Sequence, residues 1–304
     1  GVFYDRFGKE ETVRKSGDGF ISSHRLMVSP VFYSFLMGFG GDVKILSPDW
    51  VQKEFCDQVW NHYNPYTKVC YKDDPAIFSW QIGNEPRCFR KDAEGQDAFV
   101  DYMWTTAALI KSIDPNHMVS SGSEGRWGCE EEMDLFERIH SCPDIDYMNI
   151  HVWPYNWSWV REKTLKTNLH VAIANTDAYI DEHLELARKY GKPVVLEEFG
   201  FPRDDFQFKK GSPVTARDEY YRHVFGRIVE AAKEDGIFAG LNFWGWGGLA
   251  SQSETNLYWQ PGDDYCGDPA QEPQGLFSVY ATDESTVELI RQTNETLKRT
   301  TKTK

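Results

Sequence analysis

Lys192 to Gly200 reads KPVVLEEFG, and the reading of this stretch decides the fold. Val194-Val195-Leu196 is a short continuous apolar run, bounded by Pro193 before it and by Gly200, which permits a tight exit. Runs of this kind mark strands covered on both faces, as in a parallel sheet flanked by helices. Two glutamates end the run. Side chains alternate along a strand, so one of Glu197 and Glu198 is expected on the functional side and the other toward the helices. The plain alternative is a charged strand end paired with a nearby Arg or Lys.

Similar runs lie on both sides of it. HRLMVSPVFYSF (24–35), IFSWQIGN (77–84), MVSSGSEG (118–125), YMNIHVWP (147–154) and FAGLNFWGWGG (238–248) are all apolar and closed by Gly, Pro or a polar residue. Helical patterns fill the gaps. One carries Phe99, Tyr102, Met103 and Ile110 and stops at Asp114-Pro115. Another carries Ile180, Leu184 and Ala187 and ends at Gly191. A third carries Tyr221, Val224, Phe225, Ile228 and Ala232, with Thr215 and Asp218 spaced as a capping box. A last helix is expected from about Asp283 to Leu297.

Alternating strands and helices indicate a parallel α/β architecture. The polar residues of interest cluster at the C-terminal ends of strands, which favours a (β/α)₈ TIM barrel. Six strands are legible, and the first 23 residues hold no clear further pair, so the first two barrel strands are expected to be divergent or lacking. Residues 1–304 read as one barrel domain, with about the first 25 residues poorly matched. A doubly wound nucleotide-binding sheet has only GWGGLA (245–250) in its favour, and no helical pattern follows that stretch.

The net charge of −14, with no basic run before the tail at Lys298-Arg299, argues against nucleic acid and anionic membranes as partners. No run is long enough to span a bilayer. Aromatics make up 15% of the chain, eleven of them tryptophans, which suits either a large aromatic core or the stacking of sugar rings. The six cysteines (Cys56, Cys70, Cys88, Cys129, Cys142, Cys266) lack zinc spacing and permit up to three disulfides without requiring any. Asp263, Asp264 and Asp268 lack the pattern of a calcium loop and read as a solvated acidic turn. No cofactor and no metal is expected.

Asn84-Glu85-Pro86 closes a second apolar run, the proline pushing Glu85 out of helical conformation. Glu85 and Glu198 thus come from two strands far apart in the chain. Two carboxylates delivered in this way are what glycosidic bond hydrolysis needs.

WQIGNEPR, NIHVWPYNW, VVLEEFG and NFWGWGG, in that order, resemble glycoside hydrolase family 5, most of all its β-mannanases. The resemblance runs from about residue 66 to 300. It implies a (β/α)₈ barrel that hydrolyses β-1,4 bonds with retention, with Glu85 as acid/base and Glu198 as nucleophile. Glu198 must then be ionised to attack, and Glu85 must hold a proton as the leaving oxygen departs. The resemblance further implies that Asn84 binds the sugar 2-hydroxyl, that His151 and Glu124 contact the site, and that Trp244 forms its floor. Trp153 stands where the family often has tyrosine. Tyr155, Trp157 and Trp246 are expected to extend the cleft. The arginine that the family places at the end of strand two has no recognisable counterpart.

The expected substrate is a β-mannan polysaccharide or oligosaccharide, cut by a monomeric enzyme located extracellularly or in a periplasm. A signal-like segment is not seen ahead of Gly1, which fits a processed chain as well as a cytosolic one. The alternatives are a β-1,4-glucanase of the same family and a truncated barrel that binds glycan without cutting it.

Overall fold

The computed structural model describes residues 13–16, 19–22 and 49–301, apart from residue 235. The chain divides into two compact units, 1–71 and 72–304. In the first, β1 (Val13–Ser16) and β2 (Gly19–Ser22) pair antiparallel, and α1 spans Asp49–Trp60. This short antiparallel pair is not the missing pair of parallel barrel strands, and no such pair is seen among the described residues of this unit. The expected strand at 24–35 lies outside the described residues.

The second unit alternates strand and helix: β3 (Ser79–Gln81), α2 (Ala93–Ile113), β4 (Met118–Ser120), α3 (Met133–His140), β5 (Met148–Val152), α4 (Leu169–Tyr190), β6 (Val194–Phe199), α5 (Thr215–Lys233) and β7 (Phe238–Leu241). Then follow β8 (Trp246–Gly248), β9 (Val279–Tyr280) and α6 (Glu284–Thr301). β3 pairs parallel with β4, β5 with β6 and β6 with β7. Near β4 and β5, the backbone N–H of Asp146 donates to the Val119 carbonyl at 2.8 Å and that of His151 to the Glu124 carbonyl at 3.1 Å. The parallel strands thus form a two-stranded sheet (β3-β4) and a three-stranded sheet (β5-β6-β7) in chain order, with a helix between each strand and the next. This is a parallel α/β architecture, and among the described residues the strands do not close into a ring.

Five of the six expected strands are present, and FAGLNFWGWGG divides into β7 and β8. Val194, Leu196 and Phe199 of β6 are fully buried. Each such side chain stabilises the fold by about 1.5–3 kcal/mol, an upper figure because the unfolded chain already hides some apolar surface.

The helices end as their residues require. Asp92 caps α2 by accepting from Gly95 N at 2.9 Å, and Gly191 ends α4 in the left-handed region at φ 64°. The capping box expected at Thr215 and Asp218 does not form. Asp204 reaches α5 from a preceding loop and accepts from Thr215 N at 3.1 Å and Ala216 N at 2.9 Å, while Asp218 accepts from Thr286 on α6. Beside that contact, Arg203 and Arg217 are fully buried and share the carboxylate of Asp283.

The acidic turn also differs from expectation. Asp268 is fully buried and accepts from Gly275 N at 2.8 Å and Phe277 N at 2.9 Å, whereas Asp263 and Asp264 brace separate turns through Gln260 N and Ser251 N. The five described cysteines (Cys70, Cys88, Cys129, Cys142, Cys266) are free thiols. Among the described residues no helix is long and apolar enough to cross a membrane.

Candidate active site

Glu85 lies four residues beyond β3 with φ 50°, a left-handed conformation that a residue with a Cβ adopts at some cost. Its N–H donates to the Gly122 carbonyl at 2.9 Å, which holds the loop after β3 against the end of β4. That approach requires glycine at 122: a Cβ there would stand 1.7 Å from the Gly83 carbonyl oxygen. Gly200 has a similar role after β6, where a Cβ would lie 2.8 Å from the Trp153 ring. The Asn149 side chain fills the gap beside β4, accepting from Gly122 N at 3.1 Å and donating to the Ser123 carbonyl at 3.0 Å.

These loops bring Glu85 and Glu198 together around His151. His151 Nδ1 lies 2.8 Å from Glu85 Oε1 and 3.2 Å from Glu198 Oε2, and the three donor atoms lie within 4.8 Å of one another. His151 is 2% exposed, Glu198 15% and Glu85 26%, so the carboxylates reach the cleft while the imidazole sits beneath them. Among the described residues this is the one group with the spacing to hold a small cation. A single ring N–H facing both carboxylates is instead an arrangement for sharing protons.

Burial pushes the Glu198 carboxyl up to about 7; the charges of Glu85, Glu197 and Glu124 add to the rise, and His151 opposes it. Burial works against a charged His151, yet its hydrogen bond to Glu85 and the Glu198 charge raise it above the usual imidazole range. The expected in–out alternation of the two glutamates fails. The β5–β6 register slips between Ile150 and His151, so Ile150 pairs with Leu196 and His151 with Glu198. Glu197 is the extra residue of a β-bulge, and its Oε1 accepts from the Tyr147 hydroxyl at 2.9 Å.

A cleft of about 400 Å³ opens over the pair, lined among others by Asn84, Glu124, Trp153 and Trp244. Glu124 is buried at 2% exposure and ion-paired to Arg87, so it is not a solvated loop charge; burial, with the nearby Glu85, raises its carboxyl. Trp153 packs edge-on to Trp244 with ring centroids 6.3 Å apart, and its other side meets Phe277 at 4.8 Å. Trp157 lines the cleft from behind. Tyr155, packed on Phe206, and Trp246, 56% exposed, are not brought to the cleft wall.

Several lining residues escaped the sequence reading: Arg87, Trp127, Asn156, Gln271, Glu272 and Phe277. Arg87 and Asn156 adjoin recognised residues and were open to discovery. Glu272 and Phe277 come from the loop after β8, where no motif marks them. Gln274 braces that loop through the carbonyls of Asp268 (2.7 Å) and Pro269 (3.1 Å).

The chain is similar to known proteins over most of its length. A solved family 5 mannosidase from Rhizomucor miehei superposes with a TM-score of 0.73 at 30% identity, covering 84% of this chain and 59% of that one. A variant of the Rhizomucor miehei enzyme, solved with mannosyl-fructose, superposes with a TM-score of 0.73 at 29% identity, covering 90% and 63% of the two chains. Mannan endo-1,4-β-mannosidase 7 of Arabidopsis thaliana is 29% identical over 229 residues, 67% of this chain and 50% of the relative. The chain thus spans about half the length of that curated relative. The model of the glycoside hydrolase family 5 β-mannosidase-like group matches residues 39–302, and the chain belongs to that family.

Proposed function

We propose that this chain hydrolyses β-1,4-mannosidic bonds in mannan, glucomannan or galactomannan with retention of configuration, acting within the chain of the polymer. The supporting observation is the pair itself: carboxylate oxygens of Glu85 and Glu198 within 4.8 Å across an open cleft. Retaining glycosidases hold their two carboxyl groups about 5–5.5 Å apart, close enough for direct attack on the anomeric carbon.

In this reading Glu198 attacks the anomeric carbon while Glu85 gives its proton to the departing oxygen. A covalent mannosyl–Glu198 ester forms, and Glu85 then takes a proton from the water that resolves it. His151 keeps the two carboxylates at their separation. Trp244 supports the reacting sugar, Trp153 backs it through the edge-on contact, and Asn84 and Glu124 bind hydroxyls. The fold in this reading is a (β/α)₈ barrel, as in the family 5 mannosidase neighbours, and the enzyme works extracellularly or in a periplasm.

Reducing-sugar release from mannan and from carboxymethylcellulose tests the proposal. Mannan is expected to be cut, and Glu85→Gln to slow turnover by about 10²–10⁴-fold. Release from carboxymethylcellulose alone would make the chain a β-1,4-glucanase. Binding of mannan with turnover that Glu85→Gln does not change would make it a glycan-binding barrel.

A further inference from the structure

The β6 bulge brings a third carboxylate to the pair. With the strand alternation broken at Glu197, two consecutive glutamates oppose one residue, His151. Glu197 turns to the face of β5 that carries His151, where the hydroxyl of the buried Tyr147 donates to it at 2.9 Å. Tyr147 Oη in turn lies 2.8 Å from Ser79 Oγ on β3. A chain of hydrogen bonds running from β3 through Tyr147 to β6 therefore holds a carboxylate that the hydrolytic reading does not use.

We propose that Glu197 is a positioning residue that sets how protons are shared between His151 and Glu198. It touches neither substrate nor leaving group. Its means is charge at short range inside a partly desolvated site, where a unit charge counts for far more than in water.

Among the described residues, the ionisable groups around it are known. Tyr147, just before β5, and His151 on β5 face it, Glu198 adjoins it on β6, Glu85 bonds to His151, and Glu124 is ion-paired to Arg87. One imidazole thus answers three carboxylates, with a fourth close by. Burial raises the Glu197 carboxyl on balance, while the Tyr147 hydroxyl and His151 act the other way, so the bond from Tyr147 favours its charged form. The Glu197 charge adds to the rise of both His151 and Glu198.

The sign of the effect follows. Glu197→Gln keeps an acceptor for Tyr147 and removes the negative charge. His151 then gives up its proton more easily, and Glu198 ionises at lower pH. Tyr147→Phe removes the donor that favours the Glu197 anion, so it acts in the same direction and more weakly.

The inference rests on the hydrolytic reading for its purpose, and two readouts keep the two apart. NMR titration of the His151 ring needs no substrate: its midpoint is expected to fall by about half a pH unit or more in Glu197→Gln. The acid limb of kcat/KM on mannan is expected to move to lower pH by a similar amount in Glu197→Gln, and in the same direction by less in Tyr147→Phe. Titration and pH profiles that superpose on the parent's overturn the inference, as does a uniform loss of rate at every pH without a shift. A shifted His151 midpoint in a parent protein that cuts no mannan would sustain the electrostatic role of Glu197 and sink the hydrolytic reading instead.

Discussion

The indole rings of Trp127 and Trp157 stack with centroids 4.7 Å apart and 18° between their planes. Both line the cleft, Trp157 at 8% exposure behind and Trp127 more open in front. Tyr179 anchors the backbone of the front residue, its hydroxyl accepting from the Trp127 backbone N–H at 3.0 Å, and packs against the Trp157 ring at 5.1 Å. A supported indole in a cleft wall is a platform for the apolar face of a sugar ring. Trp127→Ala is therefore expected to raise KM for long mannooligosaccharides about tenfold, the loss of one aromatic contact of about 1–1.5 kcal/mol, and to affect short substrates less. Equal effects on all chain lengths would remove Trp127 from the substrate path.

Activity should rise with pH through the region where Glu198 ionises. Its folded-state carboxyl titrates at about 7, so the nucleophile is mostly neutral below that pH and mostly charged above it. The acid limb of kcat/KM is expected near 7 rather than near 4.5. His151 carries the positive charge that pulls Glu198 down, so His151→Gln should move the limb upward by about one pH unit. A pH–rate profile of the two proteins checks both statements.

The strands, their order and the residues at their ends were legible because each is local: an apolar run closed by Glu85, His151, Glu198 or Trp244. Glu197 was misread because alternation holds only while the register holds, and the slip at His151 is a property of two strands together. The cap on α5 was misread for a related reason. Thr215 and Asp218 have the right spacing, but Asp204 arrives from another loop and Thr286 takes Asp218. Asp268 was read as solvated because its partners, the N–H groups of Gly275 and Phe277, are set by the loop's fold and not by residue type.

Asp283 is the shared counter-charge of two fully buried guanidinium groups. Burial alone would raise its carboxyl, but the bonds from Arg203 and Arg217 bring it below the usual range. Asp283→Asn leaves both cations without that charge and is expected to cost about 3–5 kcal/mol in urea unfolding at neutral pH. Because the folded-state value is depressed, the contribution is present above the normal aspartate range and is lost as pH falls through the lower, folded value. The parent and the variant should therefore converge in strong acid.

His140 and His183 are fully buried and neutral, each lowered to about 3 chiefly by burial. His183 Nε2 accepts from Arg126 N at 2.9 Å, and Nδ1 faces the Tyr179 carbonyl at 2.7 Å, so protonation would break the first bond. The unfolded chain binds the proton near 6.5 and the folded one does not. Each histidine thus subtracts up to about 1.4 kcal/mol per pH unit as pH falls from 6.5 toward 3. His183→Gln should be less stable than the parent at pH 7.5, and the gap should narrow below 6.5. A gap that stays constant from pH 7.5 to 4 would show that His183 titrates normally.

The most direct test of the two-carboxylate reading is to trap the covalent intermediate with a 2-deoxy-2-fluoromannosyl fluoride and locate the label by peptide mass spectrometry. The label is expected on Glu198 and on neither Glu197 nor Glu85, with Glu198→Ala unlabelled. A label on another residue, or mannan turnover that persists in Glu198→Ala, would contradict the account.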